Sequence, residues 1–265
     1  MRFEAAAAIR LSEQLLALGV LQTSCQWAWR AVTVSNTPLL QQRIAEVGAI
    51  DPARSRLHRR WANRMTGPLA VVVSLMRAAL AIALLSPASS RPVQTGALIG
   101  LVVAHVLLAW TPWTIWPDGG EGMSRLVTIA LAVARIANHS ADAACLTFLA
   151  GSVALAYFVP GAYKFACPGW RNGVTLQRVL RSERFGQSHV ARLLAAHPLL
   201  SICASRALIT WELMFSASLF LPAPVARVAL AAGCAFHLWN AIILGIDAFV
   251  LPFLATYPAV VWLTQ

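Results

Sequence analysis

The chain has 265 residues, of which 58% are hydrophobic and only 12% are charged, and its mean hydropathy is +0.66. This composition excludes an ordinary soluble globular domain, and the long apolar runs predict a membrane protein with several spans. Lipid cannot satisfy free backbone groups, and the apolar runs do not alternate with a period of two. We therefore expect an all-α fold, a polytopic transmembrane helical bundle of about six to seven spans.

The 21 Lys and Arg residues against 10 Asp and Glu give a formal net charge of +11. The basic residues concentrate in connecting segments, without a nucleic-acid-binding or Cys/His signature. Attraction to membrane lipids therefore explains these residues better than nucleic-acid binding does. The five cysteines are scattered singly, which argues against a disulfide framework or a zinc site. No metal site is predicted.

Residues 1–64 are predicted to form a separate N-terminal region that precedes a transmembrane domain at 65–265. Within it, residues 5–29 indicate a helix that polar residues interrupt, and we expect this helix to be amphipathic and to lie at the membrane surface. Glu4 and Glu13 argue against a cleavable signal peptide. The basic segment 51–61 places the N-terminus on the cytoplasmic side of the membrane by the positive-inside rule.

The predicted spans follow at about 68–85, 95–116, 199–221 and 225–250, with a kinked apolar segment at the C-terminus. Residues 123–165 are too long for one span and should contain two, with a break near 138–142 or near 150–152. Both positions remain open at this point. The arginine-containing connector 167–196 is expected on the same side as 51–64, which four intervening spans allow.

Polar side chains within or beside these spans predict an internal polar cavity, because ionisable groups in a bilayer avoid lipid. The set comprises Arg77, Arg135, His139, Asp142, Lys164, Arg206, Glu212, His237, Asn240 and Asp247. His237 and Asn240 are one turn apart and can face the same space. Arg135, Asn138, His139 and Asp142 share a face if they lie in one helix, whereas in a loop they would simply meet water.

Lys164 is the only lysine in the chain and closes a long apolar run. Its position fits a cation that anchors a helix end among lipid head groups. An amine from which water is excluded can instead act as a base or a nucleophile. Both interpretations are consistent with position alone.

Three stretches resemble the transmembrane domain of the vitamin K-dependent γ-carboxylases and their bacterial relatives, the HTTM proteins. The first is Tyr157-Phe158-x-x-Gly161-x-x-Lys164-Phe165 followed by Trp170-x-x-Gly173, which is similar to YFxxGxxKL…WxxG. The second is Phe236-His237-x-x-Asn240 with Ile246-x-x-Phe249 and Leu254-Ala255-x-x-Pro258. The third is Asn138-His139-Ser140. The resemblance is good over 153–260 and fair over 66–152.

This resemblance implies roles for several residues. Lys164 falls where the family has the base that deprotonates vitamin K hydroquinone, His139 where a histidine is implicated in carboxylation, and Glu212 where the family keeps an acidic residue. The expected catalytic set is Lys164, His237, Asn240, His139, Glu212 and Asp142, and the expected substrate contacts are Tyr157, Trp170, Arg135 and Asp247. A quinone-like molecule is the candidate cofactor.

The carboxylases continue into a large lumenal region that binds their protein substrates, whereas this sequence stops at Gln265, so protein carboxylation is not expected. The expected function is a membrane enzyme in the bacterial cytoplasmic membrane that uses lysine and histidine acid-base chemistry on an isoprenoid- or quinone-like substrate. Terpenoid cyclisation or oxidation is one form of it, with Asp142, Glu212 or Asp247 as the acid. The alternative is a non-enzymatic component of a peptide or toxin maturation, export or immunity system.

Overall fold

The structure is a computed structural model that describes residues 4–35, 68–109, 119–182 and 187–265. The regular structure of these residues is entirely helical, as the sequence predicts. The helices are α1 (Ala5–Ser35), α2 (Pro68–Leu85), α3 (Arg91–Ala109), α4 (Gly119–Ile136), α5 (Asp142–Ala166), α6 (Pro168–Arg171), α7 (Val174–Arg181), α8 (Ser188–Ala196), α9 (Pro198–Phe215), α10 (Ala223–Leu244), α11 (Val250–Leu254) and α12 (Tyr257–Leu263). Short 3₁₀ helices cover Ser216–Phe220 and Asp247–Phe249.

Five helices of the described chain are long and apolar enough to cross a bilayer. They are α2, α3, α5, α9 with its 3₁₀ extension to Phe220, and α10. They indicate an integral membrane protein. The predicted spans at 68–85 and 199–221 agree with α2 and α9, while α3 begins a turn earlier than the predicted 95–116. The last part of the predicted span 95–116 and the basic segment 51–61 lie outside the described residues.

The break within the long apolar stretch 123–165 falls between α4 and α5. Asn138 and His139 there adopt left-handed backbone conformations, with φ of 52° and 70°. Two successive residues with left-handed backbone conformations end a right-handed α-helix, because side chains favour the right-handed conformation that the helix requires. Of the two positions left open by the sequence, the one near 138–142 is therefore correct, and Gly151 lies inside α5.

This break decides between the two alternatives that the sequence left open for the polar residues near it. Arg135, Asn138, His139 and Asp142 do not share a face of one helix, because Arg135 is in the last turn of α4 and Asp142 starts α5. Asn138 and His139 are exposed in the turn between them. Asn138 and His139 therefore follow the alternative in which these polar residues lie in a loop and meet water.

Helix α1 extends six residues beyond the predicted 5–29, and its burial differs from that of an interfacial amphipathic helix. Its polar side chains Ser12, Glu13, Thr23 and Ser24 are buried. Large apolar side chains, among them Leu18 and Trp29, are exposed instead. A helix at the membrane surface would turn its polar side chains to water. Its location relative to a bilayer stays a prediction.

The described chain divides into two compact units, and the predicted domain boundary at 64/65 lies outside the described residues. Unit 1 comprises the described residues of Met1–Ala8, Leu146–Val250 and Thr256–Gln265, and unit 2 comprises those of Ile9–Cys145 and Leu251–Ala255. In unit 2, α3 packs against both α2 and α4. Val73, Ala104 and Leu108 form an apolar cluster between α2 and α3.

Unit 1 is organised around α9, which runs antiparallel to the α5–α6 segment. Ser205 Oγ donates a hydrogen bond to the Trp170 carbonyl, and Ser201 Oγ donates to the Gly173 carbonyl over 3.0 Å. Further along α9, Glu212 lies against Gly161 of α5. Since Glu212 is 14 residues after Pro198, it lies about 21 Å along α9 from the start of that helix. The end of α5 is thus opposite the middle of the apolar segment 198–220.

Candidate functional site in unit 1

Lys164 forms an ion pair with Glu212 in unit 1. Its Nζ lies 2.5 Å from Glu212 Oε1 and 2.6 Å from Oε2, so the ammonium bridges both carboxylate oxygens. The two side chains are only 15% and 7% exposed. Nζ also lies 5.4 Å from the centre of the Trp170 ring, within cation–π range. The only lysine of the chain therefore has an internal acidic partner and an aromatic neighbour.

A glycine lets the two helices of this pair approach closely. A Cβ at Gly161 would lie 2.9 Å from Glu212 Cβ and 3.2 Å from the Leu213 nitrogen, closer than side-chain carbons normally approach. Gly161 is three residues before Lys164 and so lies on the same face of α5. The glycine in the Gly161-x-x-Lys164 spacing thus brings the α5 backbone against α9 where the lysine meets its carboxylate.

A second hydrogen-bonded pair joins the same face of α5 to α10. The Tyr157 hydroxyl is 2.7 Å from His237 Nε2 and 3.2 Å from the Tyr257 hydroxyl. The Tyr157 ring stacks on Phe215, with ring centroids 3.8 Å apart. Tyr157 is two turns before Lys164 on α5, and Phe215 is one turn after Glu212 on α9. The tyrosine–histidine pair and the lysine–glutamate pair therefore lie next to each other along the axis of α5 and belong to one site.

Space for the second pair also depends on a glycine. A Cβ at Gly233, one turn before His237 on α10, would lie 2.9 Å from Phe215 Cε2 and 3.3 Å from the Tyr157 hydroxyl. His237 and Tyr157 are both buried. Faces of α5, α9 and α10, together with Tyr257 of α12, thus supply the polar groups and the aromatic wall of the site.

Two other residues predicted for this site lie on α10 and just after it. Asn240 is half-buried on α10, and its side chain forms no hydrogen bond within the described part of the chain. Asp247 begins the 3₁₀ helix Asp247–Phe249, after α10 has ended at the left-handed Gly245. The expectation that His237 and Asn240 act together stays a prediction.

The remaining predicted residues belong to unit 2. His139 Nδ1 lies 2.7 Å from Asp142 Oδ2 in the turn before α5, and the His139 side chain is 55% exposed. Arg135 Nε and Nη2 donate to the two oxygens of the buried Glu13 carboxylate over 2.6 and 2.5 Å. The predicted set is therefore divided between the two units.

Unit 2 also contains a polar cluster around Glu121 that sequence analysis missed. Glu121, in the first turn of α4, accepts a hydrogen bond of 3.1 Å from Trp27 Nε1 of α1. Arg77 Nη2 of α2 and His105 Nδ1 of α3 each lie 3.4 Å from this carboxylate. Glu121 lies between Gly120 and Gly122 in the sequence, and nothing in this neighbourhood signals that four helices converge on it.

Tyr257 and Phe215 are the residues of unit 1 that sequence analysis missed. The chain contains only three tyrosines, of which Tyr157 and Tyr257 are in contact, so their scarcity was the available signal. Among the described residues, no group of three His, Cys, Asp or Glu side chains is arranged to hold a metal ion. The chemistry that the site of unit 1 offers is acid-base chemistry, with an ammonium, a carboxylate, an imidazole and two phenols.

Comparison of the chain with models of protein families, with curated proteins and with solved structures gives no match. The resemblance to the γ-carboxylase transmembrane domain therefore stays a prediction, carried by the three sequence stretches alone.

Proposed function

We propose that the protein is a membrane enzyme that performs acid-base chemistry on a lipophilic, isoprenoid- or quinone-like substrate, with Lys164 as the base. One observation carries this proposal: the bidentate Lys164–Glu212 pair, which lies well inside the apolar length of α9. A lysine that served only as an anchor would reach outward to the head groups. Ionisable pairs at membrane depth commonly mark functional sites.

The geometry of the pair suits reversible proton transfer. The ammonium of Lys164 passes a proton along the short hydrogen bond to the Glu212 carboxylate, which leaves a neutral amine and a neutral carboxylic acid. An apolar environment favours neutral forms over separated charges, so this transfer costs less there than in water. The amine then accepts a proton from the hydroxyl or an acidic C–H of the substrate, while Glu212 holds the first proton.

The surroundings of the pair fit a flat or polyprenyl substrate. Trp170 presents its ring beside Lys164, and Phe215 and Tyr157 form a stacked aromatic wall one to two helical turns away. Sites for small lipophilic ligands combine such walls with few polar groups. In this proposal the Tyr157–His237 pair exchanges a proton with a second oxygen of the substrate. His139 and Asp142 have no assigned step in this proposal.

The finer features of the membrane topology belong to the same proposal. Six or seven spans require α4 and the apolar segment 247–263 to be counted with the five long apolar helices. The N-terminus and the connector 167–196 then lie on the cytoplasmic side of a bacterial cytoplasmic membrane, by the positive-inside rule. The resemblance to the γ-carboxylase transmembrane domain supports a quinone-like substrate, and terpenoid cyclisation or oxidation remains one form of the reaction.

Lipid extracts provide a test that does not require the substrate to be known. A deletion strain is complemented with the wild-type gene, Lys164→Arg, Glu212→Gln, or the control Arg227→Lys, which changes an exposed cation. Mass spectrometry then compares all lipophilic compounds. A guanidinium does not release its proton, so the product formed by wild type and control should fall by about 10²–10⁴-fold in Lys164→Arg. Equal product in Lys164→Arg and wild type would remove Lys164 from the mechanism.

A non-enzymatic role in peptide maturation, export or immunity is the second candidate. The Lys164–Glu212 pair favours it, because Lys164 Nζ contacts both oxygens of the Glu212 carboxylate, as in an ion pair with a structural role. The combined variant Lys164→Met, His237→Gln and Asn240→Ala separates the two functions. A cellular phenotype that survives this variant, with unchanged lipid extracts, supports the non-enzymatic role.

A further inference from the structure

The connector between α5 and α9 carries an exposed set of arginines. Residues 167–197 contain five arginines, no lysine and one acidic residue. Four of the arginines lie in the described part of this connector and are exposed: Arg171, Arg178, Arg181 and Arg192. We call these four residues the arginine platform. No acidic side chain of the described connector neutralises it, since Glu183 lies outside the described residues.

The helices α7 and α8, which carry three of the platform arginines, are packed against each other. Leu180 of α7 packs with Ala191 and Leu194 of α8 in a buried apolar cluster, which Ile243 and Leu244 at the end of α10 also contact. Gln177 Nε2 donates a hydrogen bond of 3.2 Å to the Leu194 carbonyl, which joins α7 to α8. Because α7 buries Leu180 on one face, its Arg178 and Arg181 are held on the exposed side.

The platform closes one end of the long apolar helices of unit 1. The connector that carries the platform follows α5 and leads directly into α9 at Pro198. The apolar cluster between α7 and α8 also includes residues from the last turn of α10. Leu193 and Leu199 are 50% and 79% exposed beside it. Guanidinium groups next to exposed leucines at the end of apolar helices match the boundary between lipid head groups and hydrocarbon.

We propose that the arginine platform binds the phosphates of anionic phospholipids in the adjoining leaflet. A guanidinium donates two parallel hydrogen bonds to a phosphate, which an ammonium cannot do. The bilayer is favoured over a nucleic acid because it also covers Leu193 and Leu199, which a polyanion in water would leave exposed. This inference does not rest on the proposed enzyme activity, and its test measures lipid binding alone.

The test compares phospholipid binding to purified protein in neutral detergent. Native mass spectrometry counts phosphatidylglycerol and phosphatidylcholine bound to wild type, to Arg178→Gln/Arg181→Gln/Arg192→Gln, and to Arg227→Gln. Arg227 is an exposed arginine near the other end of α10, 16 residues and about 24 Å from Ile243. Each platform arginine should contribute about fivefold to phosphatidylglycerol binding, so the triple variant should lose on the order of 100-fold. Arg227→Gln should lose far less.

Three outcomes would overturn the proposal. In the first, the triple variant and Arg227→Gln lose phosphatidylglycerol equally. In the second, wild type binds phosphatidylcholine as tightly as phosphatidylglycerol. In the third, transfer RNA binds to the platform and displaces phosphatidylglycerol, which would identify a nucleic-acid surface. Thermal unfolding of each variant in detergent shows whether the fold is retained. If the triple variant unfolds, Arg178→Lys/Arg181→Lys/Arg192→Lys replaces it, and an intermediate loss of binding is then expected.

Discussion

The two units solve the problem of an internal carboxylate in different ways. In unit 1, Glu212 has one cationic partner, and both of its oxygens lie within 2.6 Å of Lys164 Nζ. In unit 2, Glu121 is surrounded by groups from three other helices, with the Arg77 and His105 contacts at 3.4 Å. One carboxylate is held by a single short pair, and the other is shared among several longer contacts.

The different partners of the two carboxylates suggest different roles for them, in reaction for Glu212 and in holding helices together for Glu121. Lys164 carries a transferable proton, so the pair in unit 1 can become neutral without any movement of the helices. Arg77 does not release its proton, so the cation beside Glu121 is permanent. We therefore interpret Glu121 as a structural tie among α1, α2, α3 and α4, and Glu212 as part of a reactive pair.

The tie in unit 2 should have the largest effect on stability. Glu121→Gln leaves the buried Arg77 without its anion, and breaking one partner of such a pair costs about 3–5 kcal/mol. The free energy of unfolding in detergent micelles measures this cost. Glu4→Gln, at an exposed carboxylate outside the cluster, is the control and should change stability little. A Glu121→Gln protein as stable as the Glu4→Gln protein would contradict the interpretation of Glu121 as a tie.

The close approach of α5 and α9 in unit 1 should control the reaction more than the stability. Gly161→Ala introduces a carbon 2.9 Å from Glu212 Cβ and must displace the pair. A displacement near 1 Å costs about 10²-fold in rate when reacting groups depend on their alignment. Gly151→Ala on the same helix is the matched control, because its added carbon meets nothing within 4 Å. Quantifying the lipid product in both variants checks the prediction, and equal amounts would show that the approach is not needed.

The hydrogen bond between the two tyrosines should have the smallest effect. Tyr257→Phe removes one contact of 3.2 Å and leaves the shorter Tyr157–His237 contact in place. We expect a loss of about 0.5–1.5 kcal/mol in stability and little change in product. Tyr157→Phe removes both contacts and should lower product formation as well. Thermal unfolding and the amount of lipid product are measured for both variants. A larger loss of product in Tyr257→Phe than in Tyr157→Phe would show that Tyr257, and not Tyr157, is the tyrosine needed for the reaction.

The sequence predicted the helical class and the main spans because both depend on long apolar runs. It could not choose the break near Asn138, since this depends on the backbone conformation of two residues rather than on hydropathy. Chain-local motifs did select Lys164, Glu212, Tyr157 and His237, which unit 1 brings together. The Glu121 cluster was missed because its partners are 16 to 94 residues away and contact is a tertiary property.

The central claim is that the Lys164–Glu212 pair serves chemistry rather than stability, and its replacement by an apolar pair tests this most directly. A buried ion pair replaced by well-packed apolar residues often leaves stability unchanged or raises it. The double variant Lys164→Met/Glu212→Met should therefore unfold at or above the wild-type temperature in detergent, while its lipid product falls by about 10²–10⁴-fold. A double variant that keeps wild-type product, or one that loses product only because it no longer folds, would contradict the account.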